Sequence, residues 1–250
     1  MASNRKNRVM VQEQQKVQQK LSRRRLLNLS GVTGLGLLLQ SCTNKPLARR
    51  IGEISEPPNQ AIEEWLQSPE PAPEFSLQEI QPEQLLINSY FGVPYVDPAT
   101  FRLKITGEVA QPLELSLAEL QAMPLTTMVV RHVCVEGWAA IVQWGGVRLQ
   151  DLLALAQPTA NARYVYFDSA DGYYESWDLE SAIHPQTLMV HQRDGGPLPL
   201  ENGAPLRLAA PIKLGYKQSK WVTAITLTSQ LEARRGIYED KLGYEWFAGL

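Results

Sequence analysis

Residues 162–179 read ARYVYFDSADGYYESWDL, two runs rich in aromatic and β-branched side chains that meet at Asp171-Gly172. Asp-Gly readily takes the positive backbone angles of a two-residue hairpin turn, and the flanking residues suit a pleated, half-buried surface. The stretch therefore predicts two antiparallel strands. The same grammar recurs along the chain. FRLKITGEV alternates apolar and polar residues as a half-buried strand does, with Gly107 to bend after it, and TTMVVRHVCV, LRLAAPI and KWVTAITLTS read as further strands. LSLAELQAMP reads as a short helix, with Ser116 as N-cap, Glu119 completing a capping box and Pro124 as the stop. VRLQDLLALA has helical spacing and ends before Pro158, while KLGYKQS is read as a polar loop. Seventeen prolines and seventeen glycines in 250 residues enforce short elements. The expectation is an α+β domain, mainly β, with a few short helices and no internal repeat.

With 44% hydrophobic and 20% charged residues, the chain can bury a substantial core. A formal charge of -2, with no basic stripe in the folded part, argues against a nucleic-acid partner.

The first fifty residues differ. A polar, basic segment ending in three arginines, of which Arg23 and Arg24 are the first two, precedes LLNLSGVTGLGLLLQSC. Its apolar part is about 14 residues long, below the ~20 that span a bilayer and in the range of a secretory signal. The paired arginines resemble a twin-arginine export signal, and Leu39-Gln40-Ser41-Cys42 resembles a lipobox. Residues 1–42 are thus expected to be a signal for the twin-arginine export machinery. The chain is then expected on the outer face of the plasma membrane or in the periplasm, lipid-anchored through Cys42. That route commonly serves enzymes that load a cofactor before export. Residues 43–82, rich in proline and acidic groups, read as an extended linker, with a short helix at AIEEWLQ. The folded domain is expected over 83–230, followed by a C-terminal tail, 231–250.

Of two cysteines, Cys42 falls in the leader and Cys134 at the end of a strand, in RHVCVEGW. Three readings stand for Cys134. It is a small buried hydrophobe, a nucleophile served by a histidine base, or one ligand of a soft metal whose other ligands come from an organic cofactor. Arg131 and His132 precede it and would favour a thiolate if they face it. His132, His184 and His191 lack the spacing of a zinc site. A second cluster, residues 201–222, gathers Asn202, Gly203, Arg207, Lys213, Gly215, Lys217, Ser219 and Lys220. Cations and small residues of this kind cradle a phosphate, or else form a solvated hairpin. There is no GxSxG, and Asp168, Asp171, Glu175 and Asp178 read as turn and strand-face residues.

RHVCVEGW, WGGVRLQDLLALA, IHPQTLM, GGPLPLENGAPLRL and LGYKQSKWV, in this order, resemble the sulfite-oxidase superfamily of molybdopterin enzymes, over roughly residues 85–230. They are most similar to its small bacterial periplasmic branch, which includes methionine-sulfoxide reductase catalytic subunits. The resemblance implies that Cys134 is the thiolate ligand of molybdenum in a molybdenum-molybdopterin cofactor. It implies pterin contacts from Asn88, with Phe91 and Gly92 beside it, and from Ser169. Asn202 and Arg207 match cofactor-binding positions, and Gln218, Ser219 and Lys220 match a phosphate-contacting loop.

Departures narrow the substrate. The sulfite oxidases proper carry an arginine-rich segment where this chain reads NSYFGVPYVDP, which argues against sulfite. The reductase branch has CVEAW and a longer insertion before HPxTLM, where this chain has CVEGW and the short DSADGYYESWDL. No C-terminal dimerisation domain or haem domain is expected, so the chain is read as a monomer. The function implied is oxygen-atom and two-electron transfer on a small molecule or a protein sulfoxide. Electrons would come from a haem-containing membrane protein or a c-type cytochrome. Sulfite-oxidase-like oxidation of a small substrate and a non-catalytic envelope lipoprotein are the alternatives.

Overall fold

The computed structural model describes residues 71–250, with Pro58 and Ile62 as isolated positions before them. The leader, Arg23, Arg24, Cys42 and most of the linker, including the helix expected at AIEEWLQ apart from Ile62, lie outside the described residues.

Two five-stranded sheets carry the domain. The first has the order β2-β1-β10-β5-β6, formed by β1 (Arg102–Gly107), β2 (Leu113–Ser116), β5 (Tyr164–Ser169), β6 (Tyr174–Asp178) and β10 (Val222–Thr228). Alternation sets its faces: in β1, Leu103 and Ile105 point inward and are fully buried while Lys104 is exposed. The β5–β6 hairpin forms where Asp-Gly predicted it, with Val165 opposite Trp177 and Phe167 opposite Glu175. β1 joins β10 in parallel, Lys104 opposite Ala224, so strands about 120 residues apart lie side by side.

The second sheet runs β3 (Thr126–Val133), β4 (Ala139–Arg148), β7 (Leu188–Arg193) and β8 (Gly196–Pro197), with β9 (Arg207–Ala209) paired to β7. β4 and β7 escaped the sequence reading because their runs are mostly buried and show little alternation, and β8 because it is only two residues long.

The helices form where caps and spacing placed them. In α1 (Leu117–Ala122) the Glu119 N–H donates to Ser116 Oγ at 3.2 Å, and the Ser116 N–H donates back to the Glu119 carboxylate at 2.8 Å. Helix α2 (Leu149–Ala156) buries Leu149, Leu152, Leu153 and Ala156 against β1, β5, β6 and β10. Each such leucine contributes about 1.5–3 kcal/mol when fully buried. A second cluster, with Met128, Val130, Val142 and Val190, fills the other sheet. A further short helix, α3 (Leu179–Ala182), follows β6 and is capped by the Asp178 side chain.

Residues 231–250, expected as a tail, form a packed wrap. They carry helix α4 (Ile237–Leu242) and bury Ile237, Trp246 and Phe247. The wrap bridges to the edge strand β6 at Glu175–Gly236 and to the loop after β9 at Lys213–Gly249.

The KLGYKQS loop is a correction. Its charged and amide side chains are buried: Lys213 donates to the Phe247 carbonyl at 2.7 Å, and Lys217 donates to Glu175 at 2.5 Å and Glu239 at 2.6 Å. A lysine run reads as solvated because its carboxylate partners stand 42 and 22 positions away.

Candidate active site

The strand β3 delivers Cys134 into a tight turn. The Cys134 N–H donates to the Trp138 carbonyl at 2.9 Å, and the Gly137 N–H donates to the Cys134 carbonyl at 3.1 Å. Gly137 closes this turn at φ +90°, where a side chain would strain the backbone. Cys134 is buried and in no disulfide. Its Sγ faces the Glu136 carboxylate at 3.8 Å, which also accepts from Trp138 Nε1 at 3.2 Å.

Cys134 opens onto a cleft of about 760 Å³, counted out to open solvent. Asn88, Asn202, Arg207, Gln218, Ser219 and Lys220 line the same cleft, although they come from four separate segments. The structure thus brings seven of the ten expected site residues together. The other three stand beside it. Ser169 lies two residues before Asp171, and its N–H donates to the carbonyl of the lining residue Tyr173 at 2.9 Å. Phe91 and Gly92 are exposed, with Phe91 set edge-on to the lining residue Tyr90 at 4.7 Å.

The expected thiolate support from Arg131 and His132 is not what the structure contains. Alternation along β3 leaves Arg131 exposed over the Phe75 ring, and His132 is buried between Trp138 and Trp144. Burial first, then the charge of Arg207, lowers His132 to about 3, so it is neutral. Burial raises the Cys134 thiol, and the Glu136 charge adds to that. A free nucleophilic cysteine requires the opposite shift.

The basic cluster divides in two. Lys213 and Lys217 turn away from the cleft to the C-terminal wrap. Arg207 and Lys220 face the cleft, and neither has a carboxylate partner among the described residues. Arg207 is buried, stacked over Trp144 at 4.5 Å, and donates to the Asn202 carbonyl at 3.0 Å and the Leu208 carbonyl at 3.2 Å. Lys220 donates to the carbonyls of Asn88 and Glu201. Burial, followed by the charge of Arg207, lowers Lys220 to about 8. Gly203 makes this close packing possible: at φ +116° its added Cβ would fall 2.9 Å from the Arg207 Cβ and 3.0 Å from the Lys220 Cβ.

Ser219 Oγ and Ser169 Oγ are buried without a hydrogen-bond partner. Gln218, by contrast, spends its amide on Ala210 and Lys213, so it shapes the loop. One buried and one half-buried cation held by carbonyls, two buried hydroxyls with spare capacity and one free thiol fit a ligand that brings anionic oxygens and a soft metal.

The sequence reading missed several lining residues: His132 as a neutral wall, Glu136, Trp138, Tyr90, Tyr173, Tyr216 and Tyr238. Glu136 and Trp138 stood inside the quoted RHVCVEGW motif. Tyr238 had no such signal, since it reaches the cleft only through the folding of the C-terminal wrap.

The family model described as an oxidoreductase molybdopterin binding domain matches residues 90–235. The chain belongs to this molybdopterin-binding oxidoreductase family. It is an oxidoreductase of the sulfite-oxidase superfamily. Among curated relatives, the protein-methionine-sulfoxide reductase subunit YedZ1 of Azospira oryzae is 40% identical over 199 residues, covering 76% of this chain and 73% of that one. Among solved structures, the sulfane dehydrogenase SoxCD of Paracoccus pantotrophus superposes with a TM-score of 0.53 at 22% identity, and supports the fold. That match covers 59% of this chain and 41% of the other, so this chain spans less than half of that neighbour's length.

Proposed function

We propose that the cleft binds molybdenum-molybdopterin and that the chain moves an oxygen atom and two electrons on a sulfoxide in the cell envelope. The observation that carries this reading is that one cleft holds Cys134, a lone thiol, together with Arg207 and Lys220, cations that form no ion pair among the described residues. Cys134 would hold the metal. Arg207, Lys220 and the Ser219 hydroxyl would hold the phosphate end, with Asn88 and Asn202 at the pterin and Ser169, Phe91 and Gly92 beside them. Gln218 keeps the loop in place.

Among the described residues no group of three or more His, Cys, Asp or Glu could hold a metal ion. A metal at Cys134 would therefore take its other ligands from the cofactor. When bound, the cofactor supplies two-electron redox chemistry and an exchangeable oxygen. The chain does the rest. It excludes water with Trp138, Tyr173 and Tyr216, and Tyr238 offers a hydroxyl that stays protonated, because burial raises it and the Glu136 charge adds to the rise. Reducing a sulfoxide breaks its S–O bond and consumes two electrons and two protons, giving a sulfide and water. The relative YedZ1 carries a reductase-subunit name, which supports the reductive direction and a haem-containing membrane partner or a c-type cytochrome as electron donor. Residues 1–42 would be the twin-arginine and lipoprotein signal, residues 43–82 the tether, and the chain a monomer on the outer face of the plasma membrane.

Protein purified from its native host should contain about one molybdenum and one pterin per chain. Absence of both would overturn the reading.

A further inference from the structure

The described cleft has a charge asymmetry that the oxygen-transfer chemistry does not itself require. Four charged side chains line it: Arg207, Lys220, Asp171 and Glu136. His132 is neutral. Arg207 and Lys220 are tied to backbone carbonyls of Asn202, Asn88 and Glu201, and the charge of Asp171 acts on Lys220. Glu136 belongs to the other group. It faces the Cys134 sulfur and the Trp138 indole, and no cation pairs with it among the described residues. Around it stand aromatic rings. Tyr238 lies 5.7 Å from Tyr90 and 5.5 Å from Tyr216, and the Glu136 charge reaches the Tyr238 hydroxyl. The side of the cleft nearest the sulfur is therefore a carboxylate set in an aromatic wall.

We propose that Glu136, with Tyr90, Tyr216, Tyr238 and Trp138, makes this chain select neutral and cationic oxygen donors over anionic ones. This deepens the function proposed above and rests on it. An exposed carboxylate repels an anion in the same cleft, and aromatic faces attract cations and sulfur groups. The cations Arg207 and Lys220 do not offset this in the loaded enzyme, because the cofactor phosphate would take up their charge. A sulfoxide or amine oxide carried on a cationic or uncharged group fits the wall. An oxyanion such as sulfite does not.

The test uses the holoenzyme with a reduced viologen dye as electron donor and three matched sulfoxides. Methionine sulfoxide methyl ester is cationic, N-acetylmethionine sulfoxide methyl ester neutral, and N-acetylmethionine sulfoxide anionic. Each loses its S–O oxygen as water at the expense of two dye electrons and two protons. The expected KM is roughly tenfold higher for the anion than for the cation, with similar kcat. Glu136→Gln narrows that gap to about twofold, and Glu136→Lys inverts it. Equal KM values in the wild type, or an unchanged gap in Glu136→Gln, would overturn the selection. Calorimetric binding of methionine methyl ester and N-acetylmethionine separates this from the reaction. If binding keeps the charge order and Glu136→Gln shrinks it while no sulfoxide is turned over, the reaction fails and the selection stands. Binding without a charge order sinks the selection whatever the turnover.

Discussion

Lys217 and Glu239 meet at 2.6 Å with both side chains buried, and this contact joins the loop beneath the cleft to the C-terminal helix. The same ammonium holds Glu175 of β6 at 2.5 Å. One cation thus ties together the loop that continues into Gln218, Ser219 and Lys220, the edge of a sheet and the helix that places Tyr238.

Lys217→Met should therefore unfold the domain more easily. Removing one partner of a buried ion pair leaves uncompensated charge and costs about 3–5 kcal/mol. A fall in Tm on the order of 10 °C is expected in a thermal melt. A Tm within a degree or so of wild type would show that the wrap holds without the lysine.

Stability should also fall as pH rises above the ordinary carboxyl range. Burial, opposed by Lys217, pushes Glu175 well above its usual 4.5. The folded chain then keeps a proton that the unfolded chain releases, so folding weakens from about pH 4.5 up through the raised value. Glu175→Gln should flatten the Tm–pH curve over that window, and an unchanged slope would place the titration elsewhere.

Cys134→Ser should abolish redox turnover and strip molybdenum while barely moving the melting curve, since the thiol makes no bond that holds the fold. Metal content and a thermal melt on the same preparation decide this. Full activity with normal metal content would refute the ligand role.

Arg207→Met separates holding a cofactor from holding the fold. Without ligand, a buried cation held only by carbonyls is a cost, so the apo variant should be as stable as wild type or more so. Loss of one charge-assisted bond of about 1.5–3 kcal/mol should speed cofactor loss roughly 10–100-fold. A destabilised apo protein with normal cofactor retention would contradict both halves.

Lys220 offers a pH test of the same idea. Its ammonium sits at about 8 when nothing anionic is bound, so cofactor loading should weaken as pH rises past that value. Lys220→Arg should load equally well at pH 7 and pH 9, because a guanidinium stays charged at both.

The local elements were legible wherever a short-range rule governs them. Ser116 and Glu119 cap α1 across three positions, and Asp171-Gly172 turns its own hairpin. Mostly buried runs, such as β4 and β7, gave no period to read. Cys134, Asn202, Arg207 and Lys220 were singled out through ordered motifs, and all four line one cleft. The division between Lys220, which faces the cleft, and Lys213 and Lys217, which do not, depends on Phe247, Glu175 and Glu239. No spacing in the loop encodes those partners. The wrap that carries Tyr238 was likewise invisible, because six residues of short helix become fixed only against β6 and the loop.

The parallel pairing of β1 with β10 has a consequence for biosynthesis. The first strand of that sheet waits for residues 222–228 before its inner edge is hydrogen-bonded, and the cleft waits for Tyr238. A chain still emerging from the ribosome therefore cannot present the complete cleft until Tyr238 has been made, and any group that needs all its walls must enter after that point.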